Sequence, residues 1–347
     1  MPNALLRLAV IGCGVCAALA VAAPALATPK LIVGGLSGQG SSQVSIQFTE
    51  APADAAPARI VIYAPAGYTG TVTATPNTVL GTVHADLQAL AISPDAIIQA
   101  DGQILAADPA ANVNNACAPG MHTAVWVLRV TVSGQTINVP VYIDAPAPAS
   151  DPLGVGAPLR MIMCFSSPYV GTEVGGAPFG AKIINAELKM NQGTLVTPAA
   201  RGSYVWRTVV TPYNVGGALP NAASTVEARA LVRTPTTVSI TTKVTNKKKR
   251  IVRVTGLVRS GGSNVSGATV RLTGSAKKSA RSNARGTVTF LVKFKKKGRY
   301  AFKLAATAAP LDVTAQGCAT PTSPALRCVS ATANPFAVAS RTVRVRV

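Results

Sequence analysis

Thr236-Thr237-Val238-Ser239-Ile240-Thr241-Thr242-Lys243-Val244-Thr245 alternates apolar or β-branched residues with polar ones over ten positions. That period of two is the signature of a strand with one face buried. Outward from this stretch, residues 251–259, 268–274, 287–294, 299–306 and 336–347 read the same way. Gly, Ser, Asn and Lys turns separate them. With a short strand near Ser279, the spacing predicts a seven-stranded antiparallel sandwich of about 110 residues.

Residues 28–234 also read as β. Leu31-Ile32-Val33, Val44-Ser45-Ile46-Gln47-Phe48 and Ala58-Arg59-Ile60-Val61-Ile62-Tyr63 are short apolar or alternating runs, and Pro65 and Gly67 end the third. Residues 123–132 surround Trp126 with valines, and residues 137–143 offer a partner strand. Further strands are expected in 181–190, 202–210 and 225–232. About ten strands with turn signals between them predict a second sandwich. Asp101-Gly102, between two apolar runs, predicts a hairpin turn, and residues 85–91 a short helix. The expected fold is all-β, two tandem antiparallel β-sandwich domains. The expected divisions are a signal peptide at 1–27, a first domain at 28–234 and a strongly basic second one at 235–347. A Pro/Ser/Thr-rich insertion at 310–335 interrupts the second.

The second domain carries a resemblance. Gly256-Leu257-Val258, Ser266-Gly267-Ala268-Thr269-Val270, residues 282–290 (Ser-Asn-Ala-Arg-Gly-Thr-Val-Thr-Phe) and Gly298-Arg299-Tyr300-Ala301-Phe302 stand in order. Over about 75 residues this resembles the bacterial Ig-like and carboxypeptidase-regulatory-like modules. The resemblance implies a transthyretin- or Ig-type sandwich with no catalytic residues of its own. In the first domain, residues 62–68, Gly202-Ser203-Tyr204-Val205-Trp206-Arg207 and Thr211-Pro212-Tyr213 resemble uncharacterised secreted proteins of actinobacteria, which bring no known activity.

The start of the chain reads as an export signal. Arg7 precedes an apolar run from Leu8 to Ala22, and Pro24-Ala25-Leu26-Ala27 places small residues where a signal peptidase reads them. The rival readings are an uncleaved anchor and a lipid-modified Cys13. The run is short and Ala/Gly-rich for a span, which needs about 20 strongly apolar residues. Of six cysteines, Cys13 and Cys16 leave with the signal. Cys117, Cys164, Cys318 and Cys328 remain, and an even number in an exported chain points to two bridges. Of three possible pairings, Cys117–Cys164 with Cys318–Cys328 keeps each bridge within one proposed domain. The expected location is therefore extracellular or envelope-associated.

The net charge of +21 is not shared evenly. Residues 28–234 hold 10 Lys+Arg against 11 Asp+Glu, whereas residues 235–347 hold 22 against Asp312 alone. The cations cluster at Lys247, Lys248, Lys249 and Arg250, at Lys277 and Lys278 with Arg281, and at Lys295, Lys296, Lys297 and Arg299. These fall in alternate turns of an antiparallel sandwich, so they are expected at one pole, joined by Arg341, Arg344 and Arg346. Such a pole suits anionic wall polymers, lipids or glycans. The competing reading is that turn lysines only discourage edge pairing and aid solubility. A specific nucleic-acid partner is disfavoured, because Phe294 and Tyr300 are the only rings near the basic turns and sit at core spacing.

The sequence offers little chemistry. His84 and His122 stand in no nucleophile motif. Neither a P-loop nor a calcium loop is present; Gly34-Gly35-Leu36-Ser37-Gly38-Gln39-Gly40 reads as an entry loop. No metal or cofactor is expected, because no CxxC pair occurs among the four cysteines that remain after the signal. Trp126, and Tyr204 with Trp206 on one strand face, read as core. The favoured expectation is an exported, non-catalytic protein whose basic module spaces or attaches a recognition or structural domain. The alternative is a secreted glycan or ester hydrolase in the first domain.

Overall fold

The computed structural model describes residues 27–35, 43–113, 115–132, 134–147, 149–320 and 325–347. The proposed signal therefore lies outside the described residues except for Ala27, as does most of the Gly-rich stretch after Gly35. The fold is all-β. The chain forms β1 (Lys30–Gly35), β2 (Val44–Thr49), β3 (Pro57–Ala64), β4 (Val79–Ala89), β5 (Ile97–Ala107), β6 (Ala124–Val132), β7 (Gln135–Asp144), β8 (Leu159–Cys164), β9 (Ala181–Met190), β10 (Gly202–Pro212) and β11 (Val226–Thr234). There follow β12 (Thr236–Asn246), β13 (Ile251–Ser260), β14 (Ser263–Asn264), β15 (Thr269–Gly274), β16 (Lys278–Arg281), β17 (Thr287–Lys293) and β18 (Arg299–Ala308). Last come β19 (Leu311–Asp312), α1 (Thr314–Gly317), β20 (Arg327–Ala333), β21 (Phe336–Ala339) and β22 (Val343–Arg346). Among the described residues no helix is long and apolar enough to cross a membrane.

One sheet in the order β1-β2-β9-β4-β5-β6-β7-β8-β3-β10-β11-β20-β19 forms the first body. It folds back on itself into a sandwich-like roll, and β1 packs against β11 and β20. The seam is held by side chains: Ser330 and Thr332 on β20 donate to the Pro29 and Leu31 carbonyls. Inward residues of nearly every strand make one core, with Trp126 and Trp206 fully buried. The Trp126 indole donates to the Val72 carbonyl at 2.8 Å, so its polar atom is satisfied inside. β3 reads as a nearly continuous apolar run because its outer face is also covered. There Val61 and Tyr63 join Val125, Tyr142, Ile162 and Val209, under a long β5–β6 connection tied down by Cys117–Cys164.

Two local expectations fail for physical reasons. Asp101-Gly102 is not a turn, because residues 97–107 run as one strand. A Cβ at Gly102 would lie 1.9 Å from the Arg129 carbonyl oxygen, so the glycine serves close strand approach rather than positive φ. Residues 85–91 are not helical. Ala85, Leu87 and Ala89 point inward on β4, and pairing with β5 and β9 overrides the helix-forming composition.

The second body is a two-sheet sandwich. β12, β13, β14 and β17 form one sheet, and β16, β15, β18, β21 and β22 the other. Val252, Val254, Val270, Leu272, Phe290, Phe302 and Leu304 fill the space between. The last strand is broken: β21 and β22 pair with successive parts of β18, and the Leu304 amide donates to Ser340 Oγ at the break.

The insertion does not stay with this second sandwich. β20 adds to the first sheet, parallel to β11, and β19 pairs with β20. Arg229 Nη1 donates to the Gly317 carbonyl at 2.9 Å, and the same arginine meets buried Glu227 at 2.8 Å. A Cβ on Gly317 would come within 2.3 Å of the Ala331 Cβ, so this packing requires glycine. Cys318–Cys328 closes the loop between α1 and β20. The chain therefore passes between the two bodies at 234–236, 308–311 and 333–336.

Candidate functional site

The expected cationic turns lie at one end of the second sandwich, but Arg281, paired with Thr269 at the other end of β15, and Arg341, at the β21–β22 break beside Leu304, do not join them. Antiparallel alternation puts the β12–β13, β15–β16 and β17–β18 turns and the end of β22 at one pole. Direct contacts join the β12–β13 turn, the β17–β18 turn and the end of β22. Arg250 Nε donates to the Phe294 carbonyl at 3.1 Å, and the Phe294 amide donates back to Arg250 at 3.0 Å. The Gly298 and Val347 backbones exchange two hydrogen bonds. Phe294 and Tyr300 stack with centroids 3.5 Å apart, and the Tyr300 hydroxyl donates to the Lys296 carbonyl at 2.6 Å. Lys247, Lys248, Lys249, Lys277, Lys295, Lys296, Lys297 and Arg299 are exposed; Arg250 is half-buried. Lys278 is exposed as well, with Nζ 2.7 Å from the Leu291 carbonyl.

The charge is arranged against local stability. Arg299 stands directly opposite Arg346, and Lys243 opposite Arg253, as cross-strand pairs. Like charges at such positions repel. Among the described residues every ion pair lies in the first body, so no ion pair relieves this repulsion. Asp312, the one acid after residue 234, sits on β19 at the first body.

Each histidine is held by carboxylates, His84 at the surface and His122 in the interior. His84 Nδ1 lies 2.8 Å from Asp101 and Nε2 lies 3.5 Å from Asp86. The Asp101 hydrogen bond, with help from the Asp86 and Glu187 charges, raises the His84 pKa above its usual value. His122 is buried under the β5–β6 connection. Its Nδ1 contacts Asp144 at 3.0 Å and its Nε2 contacts the Ala118 carbonyl at 3.1 Å. Arg160 bridges Asp144 to Asp151, which accepts from the Tyr63 hydroxyl at 2.9 Å. This network ties the covering segments to β7, β8 and β3.

A second feature has no counterpart in the sequence reading. The first body encloses a cavity of about 330 Å³ between its two layers. Its walls include Phe48, Ile62, Val83, Leu128, Met163 and Leu188. The opening follows from strand pairing. β7 pairs with β8 only from Val141 to Asp144, and Pro140, which has no amide hydrogen, stands just before the first paired residue. Beyond it the strands part, and Asn115, Asn138 and Ser166 border the gap. Ile137, Val139, Ile183 and Ala186 line the cavity yet remain half-exposed, so solvent-sized space reaches the core. Pro140 within a strand was the one visible sign; the lining is otherwise ordinary strand aliphatics.

A buried titratable pair sits near the same end. Lys182 is 2 % exposed and donates to the carbonyls of Ala51, Pro52 and Asp54, which seats the β2–β3 loop. Glu50 is 6 % exposed and both its carboxylate oxygens lack a hydrogen-bond partner. Burial pushes its pKa up to about 8, against the pull of the Lys182 charge. Burial likewise lowers the Lys182 pKa.

No family model matches the chain, and no curated protein matches it. The functional reading therefore rests on geometry.

Proposed function

We propose that this chain is an exported, non-catalytic protein of the cell envelope or its surroundings. Its basic pole holds it on a phosphate-bearing anionic polymer, and the first body is the part so displayed. The observation that carries this reading is the convergence of three cationic turns at one pole, with Arg299 facing Arg346 and no Asp or Glu in that sandwich to offset them. Isolated turn lysines serve solubility, but opposed arginines cost stability unless an anion spans them. The two disulfides support an oxidising compartment.

The test uses the full chain and immobilised long-chain polyphosphate, with a neutral glycan as control. Binding should weaken steeply with salt. Replacing Lys247, Lys248, Lys249, Lys295, Lys296 and Lys297 by Gln should flatten the slope of log K against log salt by about 4, at roughly 0.7 per lost phosphate contact. Unchanged affinity and slope in a folded variant would refute the assignment.

A further inference from the structure

We infer that the cavity of the first body is a binding site for one neutral amphiphile, an alkyl chain with an uncharged hydrogen-bonding head. The cavity lies in the first body and shares no residue with the basic pole.

Size sets the body of the ligand. An apolar cavity of ~150 Å³ admits benzene, so about 330 Å³ accommodates roughly a dozen non-hydrogen atoms. Wall chemistry sets its nature. Every lining side chain is aliphatic, aromatic, Met, Pro, Cys, Ser or Asn, and none is charged. An apolar space of this kind gives water few partners, which favours its replacement by hydrocarbon. A charged head entering it would have no counter-ion.

The polar groups are not scattered. Asn115, Asn138 and Ser166 lie together at the gap between β7 and the end of β8. Asn115 Oδ1 is held by the Cys117 and Ala118 amides and Asn138 Oδ1 by Arg129 Nε, so the side-chain amide hydrogens and the Ser166 hydroxyl are the groups where a chain's head would emerge, as in small-molecule sites with a mostly apolar wall and a few convergent polar groups. Two walls keep this gap from closing. Pro140 cannot donate to extend the β7–β8 ladder, and Cys164 is tied by its disulfide to Cys117. The same cysteine is held in register with Arg59 of β3.

The experiment is calorimetric titration of the full chain with octan-1-ol, decan-1-ol and octanoate at pH 8. One equivalent of each alcohol should bind, and decan-1-ol should bind roughly tenfold more tightly than octan-1-ol for its two extra methylenes. Octanoate should bind at least about tenfold more weakly than octan-1-ol, because no residue lining the cavity carries a charge to pair with its carboxylate. Ala186→Leu, which fills the cavity from β9, should weaken decan-1-ol binding at least tenfold while the protein still melts cooperatively. No alcohol binding, no gain with chain length, or octanoate binding as well as octan-1-ol would each overturn the inference. These three readings need only the unmodified chain, so they decide the matter even if Ala186→Leu fails to fold. Polyphosphate binding without alcohol binding in the unmodified chain would show that this inference alone had failed.

Discussion

Glu50→Gln should stabilise the protein, increasingly so as pH rises from 5 to 8. In the folded chain the Glu50 carboxyl is buried and holds its proton up to about pH 8; its ordinary value is 4.5. The unfolded chain releases that proton near the ordinary value. Between the two, unfolding is accompanied by proton loss, so wild-type stability is intact below 4.5 and falls as pH rises towards 8. The whole displacement corresponds to about 5 kcal/mol. The raised value already contains the opposing pull of Lys182, and about 3 kcal/mol of the displacement falls between pH 5 and 8. Glutamine has the shape of the protonated acid and no proton to lose. Urea denaturation at pH 5, 6.5 and 8, disulfides intact, gives the two profiles. The variant's advantage should widen with pH and level off above 8. Parallel profiles, or a wild type that gains on the variant as pH rises, would show that Glu50 is ionised in the folded state.

Two further outcomes follow from the connections of the first body. Glu227 is fully buried between Arg207 and Arg229. Glu227→Gln should therefore cost about 3–5 kcal/mol in denaturant titration by leaving both arginines without their charge partner; a loss under 1 kcal/mol would mean that water or the Gly317 carbonyl compensates. The Cys117–Cys164 bridge spans 47 residues and Cys318–Cys328 spans 10. Double alanine variants should accordingly lose about 4 and about 3 kcal/mol, and the reverse order would show that native contacts rather than chain entropy set the cost.

Much of this fold is legible in local patterning. The alternation at 236–245 and the apolar run at 58–63 each report how many faces of a strand are covered. Turn parity then suffices to gather Lys247, Lys277 and Lys295 at one pole. The misreadings share a cause. Gly102 looks like a turn glycine because a short stretch of sequence does not show that Arg129 crosses beside it. Ala85, Leu87 and Ala89 fit both a helix and an inward strand face, and only their partners on β5 and β9 decide. The destination of β20 is less local still: nothing in Arg327–Ala333 names β11, nearly a hundred residues earlier, as its neighbour. The cavity is a property of the space between walls, and each wall residue would look the same in a filled core. Pro140 alone marks where the ladder stops.

The three crossings between the bodies make a mechanical joint rather than a tether. β11 and β20 are parallel neighbours, and both deliver their C-terminal ends to the second sandwich. A pull on the cationic pole would therefore enter the first body along two adjacent strands at once. It would be resisted by the β10–β11 ladder and the β1–β20 seam, loaded lengthwise across many bonds rather than peeled one at a time. A single proteolytic cut in any one crossing would leave the halves connected. Tension applied between the two bodies would be borne at this joint.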